Sequence, residues 1–115
     1  MAYDEAVARR VRRAMTAHPG VAEQKMFGGL AFLLRGHMCC GVVGDQLMVR
    51  VGSDDYEAAL SRPHARPMDF TGKALKGFVY VGPAGFASAA DLEGWVSRAA
   101  RFVSSLPAKP PQRRK

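Results

Sequence analysis

A run of short apolar segments separated by glycines constrains this chain more than any other feature. It reads KMFGGLAFLLRGHMCCGVVGDQLMVRV, from Lys25 to Val51. Arg35-Gly36 and Gly44-Asp45 have the form of two-residue hairpin loops, with glycine available for positive φ. Gly28-Gly29 interrupts the run as a bulge or tight turn. Connections this short force antiparallel neighbours, because a parallel crossover needs a dozen or more residues. The expected strands are 21–27, 30–34, 37–43 and 46–51. Leu47, Val49 and Val51 alternate with Met48 and Arg50, so that strand has one buried face. The unbroken apolar run at 30–34 predicts cover on both faces. Met38, Cys40 and Val42 are expected to share a face, which sets Cys39 and Cys40 on opposite sides of the sheet.

The flanks read as helices. Tyr3, Val7, Val11 and Met15 recur at every fourth residue, with Asp4 and Glu5 in the first turn. His18-Pro19-Gly20 stops this helix. Arg9 and Arg12 should point away from the apolar stripe, and Arg10 and Arg13 flank it. Ser53 is expected to cap a short helix ending near Ser61. Pro63 and Pro67 make the following stretch irregular or edge-like, with room for a short strand at 65–70. A strand at 77–81 follows. Ser88 and Asp91 open a long helix to Leu106 as a capping pair, with Leu92, Trp95, Val96, Ala99, Phe102 and Val103 on its apolar stripe. The order predicts an α+β domain over residues 1–106: a helix, an antiparallel sheet of about five strands with a short inserted helix, and a closing C-terminal helix.

Composition narrows the class. With 48% apolar and 23% charged residues, the 115-residue chain suits one soluble domain able to fold without metal or disulfide staples. No apolar run is long enough for a membrane span, and MAYDEAVARR lacks the core of a signal peptide, so a cytoplasmic location is expected. The net charge is +7. Four of the 17 basic residues, Lys109, Arg113, Arg114 and Lys115, lie in the tail 107–115, which reads as disordered; the other 13 against 10 acidic residues leave a body charge of +3.

No catalytic constellation emerges. Cys39 and Cys40 lack C-x-x-C or zinc spacing and read as small buried residues. His18, His37 and His64 sit at or near turns; His37 and Cys39 alone are too few to hold a metal. The K-M-F-G-G stretch lacks the spacing of a phosphate loop. Three binding readings remain open. One is a protein-interaction module, with a sheet edge through which two copies pair as a homodimer. Another is direct nucleic-acid binding by Arg9, Arg10, Arg12, Arg13 and the tail. The third is a small anionic-ligand or enzymatic site where Lys25, His37, Arg50 and Lys76 converge. For each cation the plain alternative is a solvated surface charge.

Lys25-Met26-Phe27-Gly28-Gly29, then Gly36, the 47–51 strand, Lys76-Gly77-Phe78-Val79-Tyr80 and the helix of Trp95 resemble the amino-terminal domain of the TfoX/Sxy family, over roughly residues 3–106. The resemblance implies a small α+β domain that regulates natural competence by assisting a transcription activator. It implies a protein partner, no catalysis, no catalytic residues and no cofactor. The longer members add a separate carboxy-terminal domain, for which this length leaves no room. Met26, Phe27, Gly28 and Gly29 carry the family motif, with a structural role.

Overall fold

The computed structural model describes residues 3–18, 20–26, 29–70 and 73–106; the side chains of Met26, Asp69, Phe70 and residues 73–76 lie outside that description. The chain opens with Tyr3 in a parallel bridge to Gly44, and the Asp4 N–H donates to the Gly44 carbonyl at 2.8 Å. Helix α1 spans Glu5–Met15. It starts later than its apolar stripe suggests because Asp4 serves as the cap. The Asp4 carboxylate accepts from the N–H groups of Ala6 (2.8 Å) and Val7 (3.2 Å). Val7, Ala8, Val11 and Met15 are buried.

Among the described residues six strands form one sheet: β1 Val21–Met26, β2 Gly29–Leu34, β3 His37–Val43, β4 Gln46–Arg50, β5 Ala65–Phe70 and β6 Lys73–Val81. Their order is β1-β2-β3-β4-β6-β5, with every neighbouring pair antiparallel. Between β4 and β5 lies helix α2, Tyr56–Leu60, and a 3₁₀ turn at Pro83–Phe86 leads into helix α3, Ala89–Ser104. No described helix is long and apolar enough to cross a membrane. The expected α+β architecture is the observed one, and β5 brings the strands to six. The strand takes an edge position, which suits Pro67, a residue with no N–H for a second neighbour.

Both long helices pack on one face of the sheet. The core there joins Val11 and Met15 of α1 and Trp95, Val96, Ala99 and Val103 of α3 to Leu30, Phe32, Leu34, Val42, Leu47, Val49, Val79 and Val81. Burying each of the larger side chains contributes roughly 1.5–3 kcal/mol. Two glycines make room for this packing. A Cβ on Gly29 would collide with the Val42 carbonyl of the neighbouring strand, and one on Gly52, already at φ +85°, would overlap the Phe102 ring. At motif position Gly29 the backbone thus leaves no room for a Cβ. Phe27 and Gly28 lie outside the described residues, as does the tail 107–115.

Three expectations are corrected. A β-bulge falls between Phe32 and Leu33: Phe32 pairs with Cys40 and Leu33 with Met38, so Cys39 is the extra residue. The bulge breaks the simple alternation. Cys39 and Cys40 both enter the helix-covered core at 0% exposure, and Met38 sits opposite Leu33, off the face of Cys40 and Val42. Ser53 does not cap α2; Asp55 holds the N-cap position without a side-chain cap bond, its carboxylate accepting from Arg98 at 2.7 Å. Arg12 does not stand free. Through Nε and Nη2 it clamps both carboxylate oxygens of Glu23 on β1, the second at 2.9 Å.

Candidate functional site

The arginines of the described residues sort into those engaged by a ring, a carbonyl or an acid and those without such a partner. Arg10 donates to the carbonyls of Phe86 (2.8 Å) and Ala87 (3.1 Å) and lies over the Phe86 ring. Arg98 pairs with Asp55 and stacks on Trp95, whose other stacking cation is Arg62. The Trp95 indole N–H donates to the Gly85 carbonyl at 3.2 Å, tying α3 to the 3₁₀ turn. Arg66 stacks on Tyr80 with its guanidinium 4.8 Å from the ring centre, and donates to Gln46. Arg50 lies between the rings of Phe78 and Phe102 and donates to the Met38 carbonyl. A guanidinium held over a ring is stabilised by the ring quadrupole and is less available to a ligand.

The ligand site expected of Lys25 and Arg50 is not assembled by these two. Lys25 lies on edge strand β1, Arg50 on β4, with β2 and β3 between them. Three strand spacings of ~4.8 Å separate them by about 14 Å. Lys25 is exposed on edge strand β1 opposite Leu30, whereas the Arg50 guanidinium is held between the Phe78 and Phe102 rings. The Lys76 side chain lies outside the described residues; its backbone belongs to β6. His37 is half-buried at the start of β3.

What converges is a groove of about 370 Å³ between α1 and α3. Ala6, Ala14, Ala89 and Leu92 form its apolar lining, and Arg9, Arg10, Arg13 and Glu93 bring charge to it. The helical period explains the partition of the four arginines. Residues 9, 10 and 13 lie on the flank of α1 toward α3, and residue 12 lies on the flank toward β1, where Glu23 takes it. Arg10 is bound by backbone carbonyls at the end of the groove. The side chains of Arg9 and Arg13, one turn apart and exposed, have no hydrogen-bond or ion-pair partner among the described residues. Sequence reasoning named Arg9, Arg10, Arg12 and Arg13 together and missed the groove that takes three of them. The i, i+4 spacing of Arg9 and Arg13 is visible in the sequence, but the α3 wall of Ala89, Leu92 and Glu93 comes from a contact across 76 or more residues.

The electrostatics of the interior are simple. Among the described residues no polar or charged side chain is buried, and no buried side-chain nitrogen or oxygen lacks a partner. The interior also carries soft sulfur groups, the Cys39–Cys40 thiol pair among them. Cys40 Sγ lies 3.9 Å from Met15 Sδ. A hydrogen bond from Cys40 lowers the Cys39 pKa, burial opposes this, and the Arg50 charge lowers it further. The Cys40 thiol is pushed well above its ordinary value by that same hydrogen bond and by burial. At the surface, the Arg12 fork lowers the Glu23 pKa and burial partly opposes it.

A family model described as the TfoX N-terminal domain matches residues 13–103. Comparison with curated proteins and with solved structures gave no match.

Proposed function

Because the chain belongs to the TfoX N-terminal domain family, we propose that it is a non-catalytic regulatory module that works by docking another protein in the α1–α3 groove and influences transcription through that partner. The observation that supports this reading is the pairing of an apolar floor with two arginine side chains, one turn apart, that have no partner among the described residues. The occupant that fits is an amphipathic segment, its apolar face on Ala6, Ala14, Ala89 and Leu92 and its carboxylates toward Arg9 and Arg13. Nucleic acid fits less well. A duplex needs a broad row of cations for its phosphates, and here Arg12 is neutralised by Glu23, Arg10 is held by carbonyls, and Glu93 lines the same groove.

A photo-reactive residue replacing Ala89 tests this in the source cells, with one replacing exposed Ser97 as the control. The expected result is a protein adduct at position 89, absent at 97 and lost when Arg9→Glu and Arg13→Glu are combined. Adducts to DNA at position 89, or none at all, would overturn the reading.

A further inference from the structure

We propose that β1 is the contact between two copies of this chain, which pair antiparallel through it about a two-fold axis at Gln24. The sheet has two edges, and β5 is ill suited to extension. Pro67 lacks an N–H, and the β5–β6 ladder is irregular between Pro67 and Asp69. Strand β1 contains no proline and pairs with β2 in one unbroken register over all six residues, Val21 opposite Leu34 through Met26 opposite Gly29. Ala22, Glu23, Gln24 and Lys25 are all exposed.

The hydrogen-bond phase of β1 follows from one bond. The Arg35 N–H donates to the Gly20 carbonyl at 2.9 Å, one step beyond the Val21–Leu34 pair. Antiparallel ladders alternate, so Ala22, Gln24 and Met26 turn their N–H and C=O groups toward β2. Those of Val21, Glu23 and Lys25 point outward from the sheet edge. A second copy of β1 must match outward residues with outward residues, which leaves a short set of registers. Centring on Glu23 or on Lys25 sets a charge opposite its own copy, which is unfavourable. Centring on Ala22 faces Glu23 with Val21 and places Lys25 opposite residue 19, outside the strand. Centring on Gln24 sets Glu23 opposite the partner's Lys25 twice, Ala22 opposite the partner's Met26, and Gln24 opposite its copy.

The charges that usually discourage edge pairing here select one register of it. Lys25 has no ion pair among the described residues. Glu23 is already oriented by the Arg12 fork, and its carboxylate keeps lone pairs for an ammonium. The two-fold axis stands perpendicular to the sheet, so two six-stranded sheets continue into one and both α1–α3 grooves open on the same side. The contact uses no groove residue, and its test is independent of the docking test above.

Native mass spectrometry and sedimentation should find a dimer. Lys25→Glu and Glu23→Lys should each weaken it by about tenfold or more, because each sets two like-charge pairs face to face. The combined Glu23→Lys/Lys25→Glu variant should restore it, which a merely structural loss of the Arg12 contact would not do. Gln24→Cys should cross-link across the axis with oxidised glutathione, since a non-hydrogen-bonded pair sets the two Cα atoms about 4.5 Å apart. Ala22→Cys, with its copies roughly 14 Å apart, should not. Cys39 and Cys40 are fully buried and leave the readout clean. A folded wild-type chain that stays monomeric would overturn the proposal, as would a dimer indifferent to both charge reversals and unlinked at position 24.

Discussion

Single side chains decide where the charge of this molecule is available. Arg12 and Arg9 are three residues apart on one helix, yet Arg12 is clamped by Glu23 and Arg9 opens on the groove. The Glu23 pKa is depressed in the folded chain. The stabilisation is therefore fully present above the ordinary carboxylate value and is lost as the pH falls through the lowered folded value. The pair is largely exposed, with Arg12 at 44% and Glu23 at 34%, which limits its worth to about 0.5–1 kcal/mol. Glu23→Gln should lower stability by that amount at neutral pH and leave it unchanged well below the ordinary carboxylate range, as read by denaturant melts at the two pH values.

Elements depend on how closely their backbones approach, which the glycines make testable. A Cβ at Gly29 runs into the Val42 carbonyl, and a Cβ at Gly94, inside α3, meets nothing within 4 Å. Gly29→Ala should destabilise by about 1–3 kcal/mol. Gly94→Ala should stabilise by roughly 0.5–1 kcal/mol, because it removes a mid-helix glycine from open surface. Thermal melts of the two variants should move in opposite directions. Most elements were legible in the sequence. The Arg35-Gly36 loop forms with Gly36 at φ +89° as expected, Arg35 also entering positive φ at +52°, and the Ser88 hydroxyl accepts from the Asp91 N–H at 3.0 Å as the capping pair predicts. Alternation also placed Leu47, Val49 and Val51 in the core. The bulge at Cys39 was not legible, because an extra residue in one strand depends on its partner's register and leaves no mark in its own sequence. The cap of α2 was misread for a similar reason: Asp55 is claimed by Arg98, 43 residues away.

The whole molecule separates a packed face from its working margins. One sheet face carries α1 and α3, and the cleft between these helices gathers the two cations with no partner among the described residues of α1. A net charge of +7 read from composition invites a polyanion. In the folded chain much of that charge is already engaged: Arg10, Arg12, Arg50, Arg62, Arg66 and Arg98 are all committed to rings, carbonyls or acids. Sequence located the helix that carries the site but not its second wall, since α1 and α3 stand at opposite ends of the chain. Arginine modification by phenylglyoxal, read residue by residue by mass spectrometry, tests this partition most directly. In the isolated domain Arg9 and Arg13 should react ahead of Arg10, Arg12 and Arg98, and in complex with the protein captured at position 89 they should slow to the rate of Arg10. Equal reactivity across α1, or rates at Arg9 and Arg13 that the bound protein leaves unchanged, would contradict the account.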